Sequence, residues 1–314
     1  MELHTCMGIP GHVRLSNGDA EVLVSTAYGP RVIRYALAGG QNAFGEIPPS
    51  DQATPTPFGD DWHIYGGHRL WHAPEDPVRT YWPDNAPIAF EGEGLSVTVT
   101  QPVEPHTHIE KQMIVTLDAH GSGVTLVHRL ANLGAFEVEL AVWASTVMAR
   151  GGTAVFPNEP FVPFPEGLLP VQPLALWPYT RLCDERWGFG LRFLRLRQDP
   201  SRKEPQKIGM FSREGWMAYL GRDTVFVKLH EPKPGAHTDY GCNAESFTND
   251  QILELETLSP LVRIAPRAAA EHVERWSLFD LDAGSALRVP GTISDEEALA
   301  AALSPLVARA RGLA

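Results

Sequence analysis

Proline and glycine punctuate the whole chain. Twenty-seven prolines and 28 glycines are spread over 314 residues and fall between short apolar runs. A helix needs roughly ten residues free of such breaks, whereas strands of about four to eight residues fit between them. The spacing therefore predicts an all-β chain, a sandwich or a barrel.

The runs can be placed in order. His12–Ser16 and Glu21–Ala27 read as a hairpin turning at Asn17-Gly18, the dipeptide of a type I′ turn. Arg31–Leu37 follows, then Pro87–Glu91, Leu95–Gln101, Ile109–Asp118 and Gly123–Leu130. Leu95–Gln101 alternates as a half-buried strand should. Phe136–Met148 is long and largely apolar, which predicts a central strand. Pro157–Pro178 has no regular pattern and is expected to wrap an edge or one end. Strands resume at Trp187–Gln198, Ile208–Leu220, Thr224–His230, Ile252–Leu258 and Glu271–Asp280, with a polar loop at His230–Gln251. The one expected helix is the tail. Ser294 and Glu297 form a capping box before an Ala/Leu run to about Arg311, and Pro305 is expected to kink or divide it. Residues 1–290 are expected as one domain and 291–314 as a helical tail packed on it.

The formal net charge is −12 with no basic block, which argues against nucleic acid and against an anionic membrane surface. Three distant cysteines form neither a CxxC pair nor a disulfide framework. The first residues lack an apolar signal core and no run is long enough to span a membrane, so a cytoplasmic location is expected. No cofactor is expected.

Four stretches carry chemistry. Asp60–Arg79 holds His63, His68, His72, Trp62, Trp71, Tyr65, Arg69 and Arg79 without a clean helical or strand period, and reads as an ordered loop. Aromatic faces beside donors and acceptors suit a sugar, apolar on its CH face and polar at its rim. Such a stretch lines a pocket or plugs one end of a core. Glu104, His106, His108 and Glu110 stand at every second position, a metal-ligand pattern if they share a strand face, and a solvated face otherwise. Lys228, His230, His237, Tyr240 and Glu245 gather where a strand runs into the second loop. Glu254 and Glu256 alternate with leucines, so both carboxylates face away from the leucine side.

Several stretches together resemble the galactose mutarotase-like superfamily, a β-supersandwich. These are Tyr28-Gly-Pro-Arg31, the Val124–Gly134 strand and turn with His128 and Asn132, Leu255-Glu256-Thr257, and Pro260–Pro266 followed by Glu274-Arg-Trp276. GGHRLWHAPE and GPRVIRYALAGGQNAFGE are similar to an uncharacterised bacterial family within it. The resemblance implies sugar chemistry in which a glutamate takes the anomeric hydroxyl proton and a histidine protonates the ring oxygen. It gives Glu256 the part of base. The family's histidine position is not matched, and Trp143 falls at about that place. Either His68, His72, His108 or His230 supplies the acid, or the chemistry is different or lost. The resulting expectation is a mutarotase- or epimerase-type isomerase. Its acid–base groups would be Glu256, His68 and His72, and its sugar contacts His63, Arg69, Trp71, Trp143, Lys228, His230 and Tyr240. A non-catalytic sugar binder and a lyase or hydrolase are the alternatives.

Overall fold

The computed structural model describes residues 1–281, Leu287 and residues 296–313. Two large antiparallel sheets pack face to face. The larger has eleven strands. Its path runs Leu3–Cys6, Ile9–Ser16, Ala20–Ser25, Arg31–Leu37, Gly67–Ala73, Val138–Val147, Leu253–Leu258, Ala244–Thr248, Gln206–Met210 and Leu174–Leu176. Val262–Ile264 pairs with the start of Val138–Val147. The second sheet runs Trp187–Phe189, Phe193–Arg197, Thr153–Pro157, Trp216–Leu220, Thr224–His230, Ala269–Asp280, Val124–Asn132, Ile109–Leu117, Ser96–Thr100 and Ala89–Glu93.

The core between the sheets is aliphatic and aromatic. Val24, Val32, Leu70, Val142, Leu253 and Leu255 of the larger sheet meet Val99, Met113, Leu126, Phe226 and Trp276 of the second. Removing one such side chain costs about 2–5 kcal/mol. The outer face of the second sheet is closed by the helix Glu296–Ala310. Its Leu299, Leu303 and Val307, one turn apart, pack on Val225, Val227 and Phe279. Pro305 lies inside this single helix and does not divide it. Ser294 of the expected capping box lies outside the described residues. Glu296 instead accepts from the backbone N–H groups of Leu191, Arg192 and Phe193, tying the helix to a hairpin.

Three expectations need correction. The first hairpin forms, but only Gly18 of the Asn17-Gly18 pair has positive φ (95°), so the turn is not type I′. Asn17 Oδ1 accepts from the N–H of Asp19 and Ala20 and makes an Asx turn instead. Ile208–Leu220 is two strands, Gln206–Met210 and Trp216–Leu220, which belong to different sheets. The Asp60–Arg79 stretch is not a loop throughout, because Gly67–Ala73 is a central strand buried at all seven positions. A strand covered on both faces has no reason to alternate. Among the described residues no helix is long and apolar enough to cross a membrane.

Candidate active site

Five neighbouring strands of the larger sheet set up two chemically different faces. Pairing places Trp71 beside Trp143, Arg69 beside Ser145, Ser145 beside Glu256, and Glu256 beside Glu245. On the next strand Lys207 pairs with Phe247, which itself pairs with Glu254. Successive side chains point to opposite sides of a strand, so these residues share the outer face. Their apolar members form a cluster separate from the inter-sheet core, with Trp62, Trp71, Trp143 and Leu258.

The geometry at the centre is specific. Trp143 Nε1 donates to Glu256 Oε2 at 2.8 Å and Lys207 Nζ donates to the same oxygen at 3.1 Å. Lys207 also lies 2.9 Å from Glu245 Oε2, an ion-pair contact off the line of a hydrogen bond. Glu256 Oε1 and both Glu245 oxygens have no hydrogen-bond partner in the protein. Glu254 is answered separately: Arg69 Nη1 donates to its Oε1 at 2.7 Å, and the guanidinium sits 4.3 Å from the Trp71 ring centre. Lys207 lies between the rings of Trp143 (4.9 Å) and Trp177 (4.7 Å). Trp177 arrives from the proline-rich stretch, which also supplies the edge strand Leu174–Leu176.

Two carboxyls therefore share one ammonium in a place where Glu245 and Glu256 are each 1% exposed. Burial raises the proton affinity of both, and the attraction of Lys207 only partly offsets it. Glu245 is pushed up to about 8, with Glu256 adding to the burial effect. Burial pulls Lys207 down, but the two glutamates outweigh it and hold the ammonium well above its ordinary range. The pair thus keeps one proton near neutral pH.

The structure brings Glu256, Arg69, Trp71 and Trp143 together. It does not bring the remaining candidates to them. His68 and His72 alternate with Arg69 and Trp71 and point into the sandwich. His68 Nε2 lies 2.7 Å from His128 Nε2, and its Nδ1 lies 2.8 Å from Thr146 Oγ1. Lys228 belongs to the second sheet and meets the same interior network. It donates to Thr146 Oγ1 (2.7 Å) and Leu255 O (3.2 Å) and pairs with Glu274 Oε1 at 2.9 Å. His128 Nδ1 reaches His272 O at 3.0 Å, His272 Nε2 reaches Thr257 Oγ1 at 2.7 Å, and Trp276 Nε1 donates to Glu274 Oε2 at 2.8 Å. His230 lies at the rim of this network, 6.4 Å from His272 between ring centres. His72 sits 3.5 Å from Glu104, which pairs with Lys111 at 2.6 Å. His63 lies against Tyr65, and Tyr240 is 93% exposed in a turn.

Glu104, His106, His108 and Glu110 do not share a strand face, because the strand begins only at Ile109. His108 N donates back to Glu104 O across a turn, Glu104 is buried and His108 is exposed. The His68, His128 and Glu274 side chains are the one metal-like cluster among the described residues. Lys207 went unnoticed in the sequence reading. Its only signal is a lysine between Gln206 and Ile208 at the start of an apolar run. A cleft of about 990 Å³ lies away from the glutamates, between the Gly18–Asp19 turn, residues 37–43 and residues 221–224.

No protein-family model and no curated protein matches the chain. Solved structures do. A galactose mutarotase-like protein from Lactobacillus casei superposes with a TM-score of 0.56 over 86% of this chain and 100% of its own, at 9% identity. A second galactose mutarotase-like protein, from Clostridium acetobutylicum, gives 0.50 over 89% and 98%, at 10% identity. A TPR-domain containing protein from Parabacteroides distasonis gives 0.55 over 89% of this chain and 49% of that one, at 13% identity. At such identities the likeness lies in the path of the backbone. With eleven- and ten-stranded antiparallel sheets packed face to face and one C-terminal helix, the chain is a β-supersandwich of the galactose mutarotase-like fold.

Proposed function

We propose that the Glu256 face is the active site of an isomerase acting on a small sugar, opening and reclosing the hemiacetal ring as an aldose 1-epimerase does. The observation that carries this reading is Glu256 Oε1. Buried polar atoms are nearly always partnered. Here Trp143 and Lys207 hold one oxygen of the carboxyl and leave the other bare. A carboxyl gripped on one side and free on the other is oriented to take a proton. Burial raises its proton affinity above that of an ordinary glutamate, which makes it a stronger base. Trp71, Trp143 and Trp177 line this face and hold Arg69 and Lys207 against their rings, which fixes the two cations beside the glutamates. The galactose mutarotase-like descriptions of two similar structures support the same substrate class.

A non-catalytic sugar binder is the second reading. One observation favours it: the partners of His68 and His72 are His128, Thr146 and Glu104, His230 lies beside His272, and His108 is exposed, so none of the histidines open to the part of acid is paired with Glu256 or Glu245. The two readings separate in one experiment. Freshly dissolved single anomers of a panel of aldoses are followed by NMR of the anomeric protons. The isomerase equilibrates at least one sugar faster than buffer does, and Glu256→Gln removes about 10²–10⁴-fold of that rate with the fold intact. A sugar that raises the melting temperature while its anomers equilibrate at the buffer rate leaves only the binder.

A further inference from the structure

We propose that Glu245 is the second proton-transfer residue of this site, the general acid opposite Glu256; the proposal rests on the ring-opening reading above. The two glutamates are direct cross-strand neighbours in the antiparallel pair of Ala244–Thr248 and Leu253–Leu258. Such neighbours on one face hold their Cβ atoms about 4.5–5.5 Å apart. Both carboxyls touch the same ammonium, Lys207 Nζ, at 2.9 and 3.1 Å. Glu245 is buried to the same degree as Glu256, and neither of its oxygens is hydrogen-bonded in the protein. A glutamate that served only to neutralise Lys207 would be expected to fill its other lone pairs with donors, as Glu274 does in the interior. The backbone also makes room for it. Gly209 stands opposite Glu245 on the adjoining strand, and a Cβ there would lie 2.7 Å from Cys242 Sγ and 3.2 Å from Glu245 Cγ.

The other groups at this face do not suit the part. Trp143 donates through an indole N–H that it does not give up. Arg69 is closed on Glu254 and keeps its proton. Lys207 holds its proton more tightly than an ordinary lysine, since two carboxyls face it. Tyr179, nearby, is raised by burial above an ordinary phenol. Glu245 is left, with a proton affinity lifted to about 8 by burial and by Glu256. That value keeps it protonated at neutral pH and still able to release the proton. Lys207 then acts as a positioning residue, anchoring one oxygen of each carboxyl.

The step balances without redox change. Glu256 Oε1 takes the proton of the anomeric hydroxyl while protonated Glu245 gives its proton to the ring oxygen. The ring C–O bond breaks with its electron pair on that oxygen, and the former O–H pair forms the second bond of the carbonyl. Rotation about C1–C2 and reversal of both transfers reclose the ring. Each glutamate recovers its starting state.

The experiment uses the full-length protein labelled with ¹³C at the glutamate side-chain carboxyl. In the wild type one carboxyl is expected to titrate with a midpoint near 8. In Glu245→Gln that midpoint vanishes and Glu256 titrates closer to an ordinary glutamate. Spectra in which no glutamate titrates above pH 6 overturn the shared proton. For any aldose the wild type equilibrates, Glu245→Gln is expected to lower kcat about 10²–10³-fold. KM should change by less than about threefold, and the alkaline limb of the pH profile should be lost. Glu245→Asp should restore part of the rate. An unchanged kcat with the limb intact overturns the acid role. A wild type that equilibrates no sugar defeats the isomerase reading and the acid role together, while the titration still decides whether the carboxyls share a proton.

Discussion

The two faces of the central strands carry nearly the same residue types and use them in opposite ways. Inside the sandwich, Lys228 faces Glu274, one cation for one carboxylate. With neutral imidazoles, the hydrogen bonds around them form one consistent chain of donors and acceptors. Lys228 donates to Thr146, so the Thr146 hydroxyl is free to donate to His68 Nδ1. His68 Nε2–H then donates to His128 Nε2, and His128 Nδ1–H to His272 O. Glu274 collects Lys228, Thr257 and Trp276. The imidazoles are neutral, in keeping with the downward push that burial gives His68, His128 and His272. On the outer face, two carboxyls share one lysine, and the second oxygen of each has no partner in the protein. A satisfied buried network rigidifies a fold, whereas an unpartnered buried polar group is costly and is kept where it serves a purpose such as catalysis. Among the histidines that look catalytic in the sequence, His68 belongs to the first kind.

The largest test of this contrast is Glu274→Gln. It leaves the Lys228 ammonium buried at 0% exposure without its counter-charge. Breaking a buried pair on one side costs about 3–5 kcal/mol. Urea unfolding should show that loss, and a change below about 1 kcal/mol would remove the interior network from any structural part.

Glu245→Gln should have the opposite sign. A carboxyl whose folded pKa is raised binds its proton more tightly folded than unfolded. The stability it contributes is complete below the ordinary value of 4.5 and is lost as pH rises through about 8. The wild type should therefore weaken across that window, by at most about 1.4 kcal/mol per pH unit from this group. Glu245→Gln should flatten the curve and be the more stable protein at pH 9. His230 acts on the acid side. Burial first, with Lys228 adding, depresses it to about 4, so its contribution is complete above the ordinary 6.5 and is lost as pH falls toward 4. A Glu245→Gln protein with the wild-type slope between pH 5 and 8 would show that the outer carboxyls are as fully compensated as the interior one.

This contrast explains which parts were legible. Leu95–Gln101 read correctly as a strand because one face is solvated and the alternation survives. Gly67–Ala73 did not, because both faces are covered. The same strand shows why the candidate residues divide between two faces. His68 and Arg69 are adjacent in sequence, so a period of two sends them to opposite sides of the sheet. Counting aromatic and imidazole groups in Asp60–Arg79 pooled residues that the pleat separates. Glu254 and Glu256 were placed on the correct side because the leucines between them mark the core. That Lys207 and Glu245 stand beside them follows from strand order, which pairs Lys207 with Phe247 and Glu245 with Glu256 and leaves no local pattern.

The smallest expected effect isolates the comparison within one strand. Ser145 and Thr146 are consecutive, both are 0% exposed, and they point to opposite faces. Thr146→Val keeps the side-chain shape and removes a hydroxyl that links Lys228 to His68 at 2.7 and 2.8 Å. Two buried polar groups lose a partner, and the expected cost is about 1–3 kcal/mol. Ser145→Ala removes a donor that reaches Glu254 at a long 3.3 Å, where Arg69 already serves the same oxygen at 2.7 Å. Its expected cost is below about 1 kcal/mol. Paired urea titrations at one pH measure the difference directly. If Ser145→Ala costs as much as Thr146→Val, the outer face depends on its hydrogen bonds as closely as the interior does. The bare oxygens of Glu245 and Glu256 would then no longer set that face apart.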